Sequence, residues 1–110
     1  MDAQIVGELA GEELEQAVAS LKLLADETRL RIVWNLLHGE HSVNGLAEHL
    51  GMQPAAISHH LARLRHAGVV RTRRDGNRIF YVVDDEGVAA LVRAALPHAP
   101  LPAPDHHDEP

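Results

Sequence analysis

A chain of 110 residues that is 45% hydrophobic, with Trp34, Phe80 and Tyr81 as its aromatics, can build one core, mostly from aliphatic side chains, and this favours helices. It has no cysteine, which excludes disulfides, thiolate chemistry and thiolate metal sites and fits a reducing cytoplasm. No charged-then-apolar leader opens it and no apolar run nears the roughly 20 residues of a membrane span, so a cytoplasmic protein without membrane contact is expected. The net charge of -6 is unevenly sorted: nine acids face Lys22, Arg29 and Arg31 in residues 1–56, six arginines face Asp75 in 57–78, and six acids face Arg93 in 79–110. One basic block in an acidic chain suggests a surface that meets a polyanion in a fixed orientation, while the remainder resists non-specific adhesion.

In chain order, residues 1–10 form a short extension. From Gly11, Leu14, Ala17, Val18, Leu21 and Leu24 recur at helical spacing behind Glu12, Glu13 and Glu15, whose charges suit a helix N-terminus. Asp26 is placed to cap a second helix from about Glu27 to Leu37, whose stripe of Leu30, Val33 and Leu37 is widened by Ile32, Trp34 and Leu36, marking it as central. Ser42 caps a short third helix that turns Val43, Leu46, Ala47 and Leu50 inward. Gly51 ends it, and Pro54 opens a fourth helix after so short a turn that the pair forms a helix-turn-helix. Ile57, Leu61 and Leu64 make the buried stripe of that fourth helix, with His60 on its flank. Gly68 then stops it, and "VVRTRR" and "RIFYVV" flank Asp75-Gly76-Asn77 as a hairpin. Asp84 can cap a last helix carrying Val88, Leu91, Val92, Ala95 and Leu96. Residues 11–97 thus make one domain, and 98–110, within a stretch holding five of the six prolines, an extended or disordered tail.

The fold class read from this order is mainly α with a small β-hairpin wing, a winged helix-turn-helix of order α-α-α-α-β-β-α. Its arginines divide between a solvent-facing recognition helix and the wing. Duplex DNA carries a negative charge about every 1.7 Å, and a helix in its major groove needs cations on flanking phosphates to hold register. Arg71, Arg73, Arg74 and Arg78 suit that role, whereas Gln53, Ser58, His59 and Arg63 suit base edges.

The segments "LADETRLRIVWNLL", "SVNGLAEHLGMQPAAISHHLARLRHAGVVRTRRDGNRIFYVV" and the closing acidic helix together resemble the ArsR/SmtB family of winged helix-turn-helix regulators over roughly Leu14 to His98. The resemblance implies a homodimer built on the first and last helices, a partly palindromic double-stranded operator, repression as the default, and release by a metal ion. Of the family's two metal sites, the third-helix Cys-x-Cys type is absent, since "HSVNGLA" stands there. For the last-helix site, Asp85 and His98 match the ligand pattern, but Gly87 and Leu101 stand where two further ligands belong. Two donors are too few for tetrahedral zinc. His106 and His107 can complete an imidazole-rich shell with Asp85 and His98, suited to Ni²⁺ or Co²⁺ over Zn²⁺, as in family sensors that recruit C-terminal histidines. No metal is expected to be needed for folding. The alternative is a decayed metal site, with a co-regulator protein or another signal as the switch.

The other histidines have plainer readings. His60 is expected to be a packing residue, and His38, His41 and His49 surface residues. His59 faces DNA, and His66 stays open between DNA contact and plain surface. Asp85 is open between ligand and helix cap, and Asp84 and Glu86 are read as dipole-complementing acids. An enzyme is set aside: no nucleophile sits in a strained turn, no glycine-rich phosphate loop precedes a helix, and no full set of catalytic ligands occurs. A pure protein-interaction module would leave six arginines on one face unexplained.

Overall fold

The computed structural model describes residue 9 and residues 11–102. Five helices and a two-stranded hairpin follow in the order α1 (Gly11–Leu24), α2 (Glu27–Leu36), α3 (Val43–Leu50), α4 (Pro54–His66), β1 (Val70–Asp75), β2 (Arg78–Val83) and α5 (Glu86–Ala95). The expected order and fold class are both realised.

Helix boundaries follow local hydrogen-bond chemistry. Asp26, in an extended conformation, accepts from Arg29 N at 2.9 Å and so satisfies one of the free donors that open α2. Ser42 does the same for α3 through Gly45 N at 3.0 Å. At its far end Gly51 takes φ +66°, with Gly51 N on Glu48 O and Met52 N on Ala47 O. This doubly bonded, left-handed stop turns the chain sharply into Pro54, the first residue of α4. A side chain at Gly51 would disfavour that φ, which is why glycine serves there.

One expectation is corrected: Asp85, not Asp84, caps α5, its carboxylate accepting from Val88 N at 3.1 Å. Asp84 instead reaches across the hairpin to Arg71, Nε to Oδ1 3.2 Å. The two adjacent aspartates have the same capping chemistry, and strand register decides between them, because Asp84 N is held by Val69 O at 2.8 Å beside the end of β2.

The core lies around α2, with Ile32 and Val33 fully enclosed and packed with Leu46, Ile57, Leu61, Leu64, Val69 and Val92. The stripe expected on α4 is wholly buried. β1 and β2 pair antiparallel from Val70↔Val83 to Asp75↔Arg78 around a Gly76-Asn77 turn. A second correction concerns His41, which is buried and not a surface residue: its backbone exchanges two hydrogen bonds with Tyr81, at 2.8 and 3.3 Å, adding a bridge beside β2. His49 is half-buried, its ring 5.3 Å from that of His41. His38 is exposed as expected.

Candidate nucleic-acid interface

α4 presents a sharp division between its two sides. Ile57, Leu61 and Leu64 vanish into the core, while Gln53, Ala55, Ser58, His59, Ala62, Arg63, Arg65 and His66 are exposed. Gln53 occupies the N-cap position but makes no capping bond with its side chain, so its amide is left for another partner. Small residues alternate with polar ones across this outer face, which lets the helix axis approach a groove closely. His59, Arg63 and His66, together with Lys22 of α1, border a shallow groove of about 610 Å³ between α4 and α1.

What holds α4 at this angle is a polar cluster that sequence periodicity does not show. Arg29 of α2 is buried, its Nε donating to Leu23 O at the end of α1 at 2.6 Å and its Nη1 lying 3.2 Å from His60 Nδ1 on α4. The guanidinium is always a donor, so Nδ1 accepts and His60 is neutral with its proton on Nε2. Burial pushes the His60 imidazole below its ordinary pKa; Asp26 opposes that push, and the Arg29 charge adds to it. Asp26 in turn sits below the usual carboxylate range, chiefly because of the Arg29 backbone N–H it accepts. His60 is therefore the half-buried packing residue expected, joining the recognition helix to α1 and α2.

The wing distributes its arginines by strand alternation. Arg71 and Arg73 lie on the hairpin face shared with Arg78 and Phe80, and Arg74 on the other, opposite Ile79. The guanidinium carbons of Arg73 and Arg78 stand 5.0 and 4.8 Å from the Phe80 ring centroid, a cation–π arrangement that stacks both over one aromatic. Arg71 is paired with Asp84, and Arg73 with Glu40 through both Nε and Nη2. Glu40 also raises the Arg73 pKa by accepting its hydrogen bonds. Arg63, Arg65 and Arg74 have no ion pair with a described residue. The four expected wing cations thus differ in kind, two being held by acids before any DNA arrives. Glu40 lies 33 residues from Arg73 in sequence, and no local pattern announces that pairing.

Two of the four predicted metal ligands, Asp85 and His98, lie among the described residues. Asp85 serves as the α5 cap, and His98 is exposed three residues beyond that helix. His106 and His107 lie outside the described residues, and among the described residues no group of three or more His, Asp or Glu side chains could hold a metal ion. The segment after α5 runs back over α2, where Trp34 Nε1 donates to Pro100 O at 3.2 Å.

A helix-turn-helix whose second helix shows an uncommitted polar face, followed by an arginine-bearing hairpin, defines a winged helix-turn-helix DNA-binding regulator. Residues 26–72 match the family model described as bacterial regulatory protein, arsR family. The HTH-type transcriptional regulator KmtR of Mycobacterium tuberculosis is 43% identical over 102 residues, spanning 90% of this chain and 78% of that protein. The structure of HlyU from Vibrio cholerae, a protein named a transcriptional activator, superposes with a TM-score of 0.75 at 35% identity, covering 80% of this chain and 96% of that one. The homodimeric winged helix-turn-helix DNA-binding domain of Mb0332 from Mycobacterium bovis gives a TM-score of 0.71 at 33% identity, covering 86% of each chain. The chain belongs to the arsR family of bacterial transcriptional regulators and, as a member, acts by binding DNA and not as an enzyme. No helix among the described residues is long and apolar enough to cross a membrane.

Proposed function

We propose that this regulator acts as a homodimer that holds a partly palindromic operator with α4 and the wing, repressing by family default, and that a metal ion, Ni²⁺ or Co²⁺, alters that grip. The observation that carries the DNA assignment is the outer face of α4, where Gln53, Ser58, His59 and Arg63 are exposed while the opposite stripe is fully buried. These four read base edges, and Arg71, Arg73, Arg74 and Arg78 hold phosphates. Arg74 does so directly, whereas Arg71 and Arg73 exchange Asp84 and Glu40 for phosphate.

Dimer formation is supported by apolar side chains that one copy leaves in water: Leu14, Val18 and Leu21 of α1 at 37, 41 and 52% exposure, and Leu91 of α5 at 39%. The Mb0332 domain is homodimeric, which supports pairing in this chain too, and the exposed apolar side chains of α1 and α5 are the surface offered for it. Two recognition helices then require half-sites about one helical turn, roughly 34 Å, apart.

The metal reading is supported by the family's last-helix pattern at Asp85 and His98 and by the imidazoles of His106 and His107. The described residues alone do not fit a metal: Asp85 and His98 are only two donors, and one Asp85 oxygen already caps α5. A metal response in this protein therefore depends on the tail. A second reading, a regulator switched by another signal, is favoured by that same capping role. Titrating operator binding with Ni²⁺, Co²⁺ or Zn²⁺, for the full chain and for a chain ending at Leu101, separates the two. The metal reading expects Ni²⁺ or Co²⁺ to change affinity by about tenfold or more, within the usual 5- to 150-fold range of allosteric coupling, and expects truncation to abolish the change. A response that survives truncation removes the tail from the site, and no response in either chain leaves the second reading.

A further inference from the structure

Lys22 is the only lysine of the chain, and it stands in the last turn of α1, a helix whose other charged residues are acids. Its setting leaves the ammonium without work inside the described residues. The residue is exposed, and it forms no ion pair with a described residue. Asp26, the one acid within a helical turn of it, is committed to Arg29. The carbonyls that a basic residue at a helix end can serve are also taken. Leu21 O and Lys22 O accept from Ala25 N at 2.9 and 3.2 Å, and Leu23 O accepts from Arg29 Nε at 2.6 Å.

The groove of about 610 Å³ between α1 and α4 brings Lys22 to the same depression as His59, Arg63 and His66, with the small side chains of Ala19 and Ala62 between them. No acidic residue lines it among the described residues. Its two walls are held to each other by the buried Arg29, which joins Leu23 O, next to Lys22, to His60 Nδ1, next to His59, over 2.6 and 3.2 Å. Lys22 is thus kept at a fixed place beside the exposed face of α4, and the space between is open and basic.

We propose that this groove seats a phosphodiester of the DNA backbone, with the Lys22 ammonium as its contact, so that the interface extends from α4 and the wing onto α1. The inference deepens the DNA-binding reading and rests on it. An ammonium on a flexible stem meets a phosphate as a point charge and needs no planar partner, and the alanines let a sugar-phosphate strand come down between the helices. A contact of this kind fixes register and adds affinity but reads no base. α1 then carries Leu14, Val18 and Leu21 for a second copy and Lys22 for DNA, so one helix sets both the pairing of copies and part of their grip.

Lys22→Gln removes the charge from an exposed position and is measured in the full chain against a mixed-sequence duplex long enough for both half-sites. The slope of log K against log salt should flatten by about 2, one contact per copy of the dimer, and Lys22→Arg should keep the native slope. Urea midpoints of both variants should match the native chain, whereas a helix-capping role for Lys22 would lower that of Lys22→Gln. A second measurement needs no variant. Lys22 holds the only side-chain amine, so its acetylation by acetic anhydride, followed by mass spectrometry of the native chain, should slow several-fold with duplex present and not with inorganic phosphate at equal ionic strength. An unchanged slope in Lys22→Gln, acetylation indifferent to duplex, or equal protection by inorganic phosphate overturns the proposal, the last by assigning the groove to a free anion. A native chain whose duplex affinity ignores salt defeats the DNA-binding reading itself, which keeps the two failures apart.

Discussion

α4 and α1 are amphipathic helices of similar length with opposite fates. On α4 the apolar stripe is entirely enclosed and the outer face carries exposed polar residues; on α1 only Leu23 and Leu24 at the C-terminal end are buried, while Leu14, Val18 and Leu21 remain in contact with water. A helix that has spent its whole apolar face on the core is fixed in orientation and can offer the other side to a ligand. A helix that has not done so still carries a driving force for association. Periodicity alone cannot tell these cases apart, since both show the same i, i+3, i+4 recurrence. What separates them is the supply of neighbours: α4 packs against α2, α3 and β1, whereas α1 meets chiefly α2.

The largest effect should come from attacking the enclosed stripe. Leu61→Ala is expected to cost about 2–5 kcal/mol, as buried leucine truncations do. Urea unfolding at matched dimer concentration measures it, and a loss near zero would mean that α4 is not locked to the core. On α1 and α5 the counterpart is Leu91→Glu, which buries an unpaired carboxylate if α5 meets a second copy. Sedimentation should show monomers or aggregates, and a mutant that stays dimeric places the interface elsewhere.

A smaller effect is expected at the cap that joins the two helices' neighbourhoods. Asp26→Ala removes the acceptor for Arg29 N and should cost on the order of 1 kcal/mol, within the range of N-cap losses. Asp84→Ala, although it changes the neighbouring candidate cap for α5, should leave the α5 N-terminus intact because Asp85 fills that role. Equal stability losses for Asp84→Ala and Asp85→Ala would contradict the capping assignment.

The smallest effect concerns pH. His60 is held below its ordinary pKa in the folded state, so the unfolded chain takes up a proton first as pH falls. Its contribution is present above the unfolded imidazole value of ~6.5 and is lost as pH drops from there to the depressed folded value. The native chain should therefore lose stability below pH ~6.5 more steeply than His60→Gln, measured as urea midpoints through that window. Parallel pH profiles would show that burial beside Arg29 does not hold His60 below its ordinary value.

Much of this fold was legible because its boundaries are local. Asp26, Ser42, Gly51 and Pro54 each act within a few residues of themselves, and the stripe of Ile57, Leu61 and Leu64 follows one helical period. The order of elements, and with it the outward face of α4, came from those signals. What sequence left unread depends on contacts between distant residues. His41 is buried because its backbone pairs with Tyr81, 40 residues on. Arg73 is paired with Glu40, 33 residues away, and Asn35, inside an apolar helix stripe, carries a buried oxygen without a donor that helical periodicity does not single out. The choice between Asp84 and Asp85 turned on where β2 releases the chain, which adjacent identical residues cannot disclose.

The wing and the recognition helix differ in how their cations are held, and that difference bears on the central claim that this basic surface grips duplex DNA. Arg74 carries no ion pair with a described residue, whereas Arg73 must first release Glu40. The most direct test is the salt dependence of duplex affinity for the native chain and for Arg74→Ala. Each phosphate contact contributes about 0.9 to the slope of log K against log salt, so the native dimer should show a steep slope. Arg74→Ala, removing one contact per copy, should flatten that slope by about 2 and weaken all sequences alike. An affinity indifferent to salt, or an Arg74→Ala slope identical to that of the native chain, would contradict the assignment.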